Sequence, residues 1–188
     1  MELLEAIKKR RSVRKFTDYY VTDNEIKEIL EAARLAPSWA NTQPWEFIIV
    51  RDGETIKEIT GTYSKTNPAK SCSETASALI VVCAKTKVSG FKDGQMRTKF
   101  PDWFMFDIGL AVQNLSLRAH DLGLGSVIVG SLDHDACKKI VQLPDGYEIV
   151  AVLPIGKPLD KDKEGPKKKE LKEFVHLNVY GERFTHIY

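Results

Sequence analysis

Arg10, Arg11, Ser12 and Arg14 crowd into one short stretch of the run "KKRRSVRKF". Guanidinium groups offer a rigid fork of donors suited to phosphate, and a serine hydroxyl beside them adds a neutral donor. In an extended segment Ser12 and Arg14 point to one side and Val13 to the other. The plain reading of such a cluster is a solvated basic surface. The sharper one is a seat for a small anionic cofactor. Nucleic acid fits less well, because only Phe16 interleaves an aromatic and the formal net charge is +2. A second stretch, "APSWANTQPW" over residues 36–45, holds two prolines, two tryptophans and several amide or hydroxyl groups without a charge. It reads either as a rigid connection with core tryptophans or as a ligand-facing loop. Further on, "GLGSVIVG" carries Gly123, Gly125 and Gly130, which serve turns or let backbone approach a ligand closely.

Other chemistries lack their residues. The sequence has no G-x-x-x-x-G-K-[ST], no G-x-G-x-x-G, no G-x-S-x-G and no H-E-x-x-H. His120 reads as completing the packing of its helix. Cys72, Cys83 and Cys137 have no metal-ligand spacing, and their odd number suits a reducing cytosol better than a disulfide framework. No metal is expected.

The elements that must position these groups follow from periodicity. At 188 residues, 43% apolar and 29% charged, the chain suits one globular domain. The opening "MELLEAIKK" reads as an amphipathic helix rather than a signal peptide or membrane segment. Thr22 and Glu25 mark a capping box before Ile26, Ile29, Leu30 and Ala33. Strands are expected at 46–51, in "ALIVVCAKT", within "GLGSVIVG" and in "YEIVAVLPIG", with short helices at 54–60 and 67–77. Residues 87–101 read as a polar loop or lid. From Trp103 to Ala119 only Asp107 and Arg118 carry charge, which predicts a central helix buried on most faces and too polar to span a membrane. Asp133 or Asp135 caps the next helix. Residues 157–173, with seven lysines and five acidic residues, read as a solvated run.

Taken in order, "RRSVRKF", "APSWANTQPW", "DIGLAVQNLSLRAHDLGLGSVIVG" and "AVLPIGKP" resemble the nitroreductase family of flavin enzymes over nearly the whole chain. The resemblance implies an α+β fold: a three-layer sandwich whose mixed, mainly antiparallel central sheet is flanked by helices, one domain over residues 1–188. It also implies an intertwined homodimer with one FMN at each of two shared sites. Arg10 and Ser12 would hold the FMN phosphate and ribityl region, with Arg11 close by, and Arg14 would face the pyrimidine edge. Lys168 and Lys169 would complete the phosphate pocket, in a register set only to within one residue. Pro37, Ser38, Trp39 and Asn41 would come from the partner subunit to meet the ring and ribityl chain. Trp39 stands where many relatives have a small residue. Ile128, Val129 and Gly130 would pass the central ring, with a backbone N–H of Val129 or Gly130 facing N5; some relatives have glutamate at Val129. Asn67 falls near a family asparagine at the pyrimidine edge. The implied reaction takes hydride from NADH or NADPH through FMN to a nitroaromatic, quinone or other electrophilic small molecule in the cytoplasm, with neither nucleic acid nor membrane as partner. The same residues would also serve an FMN-binding storage, sensing or regulatory protein with little turnover.

Overall fold

Helix α1 (Leu3–Lys9) leads into an extended segment, and α2 (Asp23–Arg34) follows with its capping box formed: the Thr22 side chain accepts from the Glu25 N–H, and Glu25 reaches back to Thr22. The structure, a computed structural model, describes residues 1–160 and 164–184, so residues 161–163 of the charged run lie outside it. Next come a short 3₁₀ turn (Trp39–Asn41), strand β1 (Trp45–Val50), helices α3 (Gly53–Gly61) and α4 (Lys70–Glu74), and strand β2 (Ala78–Lys85). The expected lid holds a small hairpin, β3 (Phe91–Lys92) with β4 (Gln95–Met96). The long helix α5 (Phe104–Asp121) precedes β5 (Gly125–Ser126), α6 (His134–Ile140) and β6 (Tyr147–Gly156). Asp133, not Asp135, caps α6 by accepting the Ala136 N–H at 2.9 Å.

The main sheet has the order β1-β2-β6-β5, and every ladder in it is antiparallel. Its only parallel pairing among the described residues is a single bridge, Ser12 to Ser126. β2 is buried on both faces, which is why "ALIVVCA" shows no polar alternation. Ile80 and Val82 face α2 and α5, whereas Leu79, Val81 and Cys83 face α3, α4 and α6. Helices thus cover both faces of the sheet in three layers. A bulge lies where Val82 pairs Ala151 but Cys83 pairs Ile149. The extra residue, Val150, changes parity, so Ala151 and Ile149 serve opposite cores. The expected helix at 67–77 shrinks to five residues, and the strand in "GLGSVIVG" to two, with Val129 rejoining Val152 as an isolated bridge.

The segment after α1 lies over the far edge of this sheet. Val13 N–H donates to the Ser126 carbonyl at 2.9 Å, Thr17 N–H to Lys157 at 2.9 Å, and Leu159 N–H to Lys15 at 3.0 Å. Such close passage requires the paired glycines Gly125 and Gly156. A Cβ on Gly125 would sit 2.6 Å from Val13 Cγ2, and one on Gly156 would sit 2.7 Å from Phe16 Cγ. Gly125 therefore makes way for the protein's own valine, while Gly123, at φ +75°, makes the turn. Gly156→Ala should lower stability by about 1–3 kcal/mol through overpacking against Phe16. Gly61→Ala, with open space around it, should be neutral or mildly stabilising; urea denaturation of both variants checks the contrast.

Candidate functional site

A cavity of about 960 Å³ opens between that segment, α4 and the C-terminal half of α5. Its volume suits a small molecule or cofactor. Arg10, Arg11, Ser12 and Arg14 all line it, and so do Ser71, Ser116 and His120. The cations there are not equivalent. Lys9 pairs with Glu5 at 2.8 Å, and Lys15 lies 3.9 Å from Asp160. Arg11 turns back on α1, donating to the Lys8 carbonyl at 2.5 Å and the Arg10 carbonyl at 2.8 Å, so it closes the helix C-terminus. Gly165 presses on the same side chain so tightly that a Cβ there would meet Arg11 Nε at 2.4 Å. Arg11 is thus tied to the scaffold through Nη1, while its buried Nε has no hydrogen-bond partner. Among the described residues, the Arg10 and Arg14 side chains have neither hydrogen bond nor ion pair.

α5 contributes what sequence reading passed over. Ser116 and His120 are one turn apart on its cavity-facing side. Ser116 Oγ and His120 Nε2 are buried without a hydrogen-bond partner. Burial, then the charges of Arg10 and Arg11, push the His120 imidazole below its usual range; Asp121 opposes and Lys9 assists. Two unpaired guanidiniums and two unsatisfied neutral groups suit an anion that carries hydroxyls.

The second stretch singled out in the sequence lies elsewhere. The Trp39 N–H donates to Asp107 Oδ1 at 3.1 Å, in the first turn of α5. His120 is thirteen residues further along that helix, about 20 Å at 1.5 Å per residue. Within one chain, therefore, Pro37, Ser38, Trp39 and Asn41 do not meet the arginine cavity. Their loop is strained: Ala40, Asn41 and Gln43 have φ of 46°, 55° and 45°. Left-handed backbone costs about 1–2 kcal/mol per non-glycine residue. The Ser38 hydroxyl accepts the Gln43 N–H at 2.9 Å, and Ser38 O accepts the Asn41 N–H at 3.1 Å, so part of the polarity expected to face a ligand holds the loop together. Trp45 packs partly buried against the core under α2 and α5, its plain reading.

Three further sets of expected site residues lie as follows. The Val129 N–H donates to the Val152 carbonyl at 2.9 Å and is unavailable to a ligand. Gly130 is the one of the pair left without a backbone partner among the described residues, beside the exposed Ile128. Asn67 spends its amide locally, donating to Ser131 O at 3.2 Å and accepting the Ala69 N–H at 3.0 Å; its neighbour Pro68 lines the cavity instead. Lys168 and Lys169 are exposed and do not line the cavity, although Glu164 just before them does.

The family model for the nitroreductase family matches residues 7–157. The chain belongs to the nitroreductase family. A protein of Archaeoglobus fulgidus provisionally named NADH dehydrogenase/NAD(P)H nitroreductase is 36% identical over 167 residues, 85% of this chain and 87% of its own. The solved FMN-dependent nitroreductase of Clostridium difficile is 26% identical, with a TM-score of 0.78 over 94% of this chain and 99% of that one. The NADPH:FMN oxidoreductase of Vibrio harveyi, solved with NAD⁺, is 25% identical, with a TM-score of 0.81 over 96% and 78% of the two chains. In this nitroreductase-family chain the signal for Asp107 was legible as a lone acid in an apolar helix; Ser116 carried none.

The depressed His120 fixes a pH dependence. As pH falls below about 6.5, the unfolded chain binds a proton that the folded imidazole resists, so stability declines. His120→Gln should flatten that acid-side slope below about pH 6.5, measured by urea midpoints at a series of acid pH values.

Proposed function

We propose that this oxidoreductase, with FMN as cofactor and NAD(P)H as reductant, reduces an electrophilic small molecule such as a nitroaromatic or quinone in the cytoplasm, on sites shared by two copies of the chain. The observation that carries the reading is the pair of unpaired guanidiniums, Arg10 and Arg14, on a cavity that also holds the unsatisfied Ser116 and His120. The residues fit the cofactor by charge and donor chemistry. Bound there, FMN supplies a ring that takes up and passes on hydride. Arg10 and Ser12 would hold its phosphate end, and Arg14 would supply positive charge to the ring, which favours a reduced, anionic form. The N–H of Gly130 is the backbone donor left to serve the ring. The protein's part is orientation and exclusion of water, so no protein nucleophile is needed.

The reading assigns the loop bearing Ser38, Trp39 and Asn41 to the partner's site, since some 20 Å of helix separates it from its own chain's arginines. Exposed apolar residues support a second copy. On α1, Leu3, Leu4 and Ile7 are 68%, 60% and 49% exposed, and on α5 Met105 and Phe106 are 58% and 60% exposed. No helix among the described residues is long and apolar enough to cross a membrane, and the three cysteines are free and buried, as a reducing compartment allows.

Stopped-flow reduction of the FMN-loaded protein with NADH and with NADPH, then reoxidation by a nitroaromatic, a quinone and an enone, tests the reaction. Failure of both nicotinamides to bleach the flavin would leave a flavin-binding protein with a storage, sensing or regulatory role. Arg10→Ala should weaken FMN binding by about 1.5–3 kcal/mol, roughly tenfold to a hundredfold. Arg14→Ala should in addition lower the flavin's reduction potential. Light scattering at low concentration should report a dimer; an FMN-loaded monomer of 21.2 kDa would refute the shared site.

A further inference from the structure

Asp107 is 1% exposed in a helix that is otherwise apolar on that face, a costly place for a carboxyl group unless it is fully used. Both of its oxygens are engaged. Oδ1 accepts the Trp39 N–H at 3.1 Å, and Oδ2 accepts the Ser89 hydroxyl at 2.6 Å. Ser89 is itself 1% exposed and cannot drift. Its carbonyl accepts the Trp103 N–H at 3.4 Å, just before α5. The next residue, Gly90, has φ +84° and so little room that a Cβ would meet Trp103 Cβ at 3.0 Å. The turn before the hairpin is therefore pressed against the start of α5, which fixes Ser89, and Ser89 fixes the rotation of the Asp107 carboxyl group. The remaining oxygen is aimed at one backbone N–H of the strained loop.

That loop needs such a restraint. Asn41 tolerates left-handed backbone, but Ala40 and Gln43 have no intrinsic reason to populate it, so bonds from outside must select it there. Two bonds from Asp107 and Ser38 are in place to do so. We propose that Asp107 is a positioning residue of the shared site: through the Trp39 N–H it sets where Ser38, Trp39 and Asn41 stand against the cofactor of the partner copy, with Ser89 holding it in orientation. The proposal rests on the flavin-enzyme reading for its consequence and on the Asp107–Trp39 contact alone for its geometry.

The test compares Asp107→Leu, Asp107→Asn and Ser89→Ala in the FMN-loaded full-length protein. Asparagine keeps a carbonyl oxygen for the Trp39 N–H and offers its NH₂ to Ser89 Oγ, so it should rescue; leucine offers neither. Asp107→Leu should weaken FMN affinity about tenfold and raise the acceptor KM more than it lowers kcat, whereas Asp107→Asn should stay within about threefold of wild type. Amide exchange at Trp39 and Gln43 should accelerate in Asp107→Leu while Ala111 to Ala119 in α5 keep their protection. Ser89→Ala should give an intermediate acceleration. Equal damage from asparagine and leucine would overturn the proposal, because it would make charge rather than the pair of bonds the cause. Should the leucine variant not fold, wild type decides: a Trp39 amide exchanging at the unprotected rate overturns the assignment, and a protected one that Ser89→Ala releases supports it. If the wild-type protein binds no FMN, the flavin reading fails, while the exchange measurements still decide whether Asp107 holds the loop.

Discussion

Ala78 to Ala84 of β2 are wholly shut off from solvent, and a strand so placed requires a layer of helices on each side. The two cores divide its side chains by parity. Even positions serve α2 and α5, and odd ones serve the three short helices. The bulge at Val150 lets β6 supply both cores from one strand, since without it Ile149 and Ala151 would face the same way. Burial also silences the thiol on this strand: desolvation pushes Cys83 up to about 12, so it takes no part in chemistry at neutral pH.

Once β2 is covered, α5 acts as a strut between two separated chemistries. Its first turn carries Asp107 and holds the strained loop; its last two turns carry Ser116 and His120 and wall the arginine cavity. The same helix therefore fixes both halves of the proposed site and keeps them apart within a chain. The glycine pair Gly125 and Gly156 acts at the cavity end, letting Val13 and Phe16 lie against the sheet edge while Ser12 and Arg14 stay exposed beside the cavity. Placement of these cavity-lining side chains thus depends on residues chosen for having none.

Local patterning made most of the fold legible. The capping box at Thr22 and Glu25, the apolar run of β2 and the long period of α5 each stand where the sequence places them, because each is set by interactions close in the chain or by burial on every side. α4 and β5 came out shorter than expected, because their ends depend on what packs across from them. For the site, residue type was legible and commitment was not. Arg11 and Arg14 look alike in sequence, yet one caps a helix and the other has no partner. Val129 and Gly130 look equally able to offer an N–H, yet the ladder to Val152 takes the first. Asn67 falls near a family ligand contact in sequence, yet its amide donates to Ser131 O and accepts the Ala69 N–H. Such allocations depend on non-local geometry, which a linear pattern does not contain.

The electrostatics of the cavity turn these allocations into a preference for one kind of ligand. Around it, Lys9 has Glu5, Lys15 has Asp160, and the Met1 ammonium has Asp121 at 2.7 Å. Each is a cation near the surface with an acid in reach, an arrangement worth little to stability and one that removes the charge from competition. Arg10, Arg11 and Arg14 are the exceptions, with no ion pair among the described residues, and Asp121, the acid that acts on His120, is already shared between Met1 and Arg118. Positive potential is therefore left uncompensated on the wall that also holds unsatisfied hydroxyl and imidazole groups. A dianionic phosphate relieves both deficits together: it pairs the guanidiniums and gives the buried polar atoms an acceptor-rich neighbour. A neutral ligand satisfies only the second. On the proposed assignment, discrimination for a phosphorylated flavin over its unphosphorylated form would reside in Arg10 and its surroundings, while Arg14, further along the same extended segment, would act on the ring.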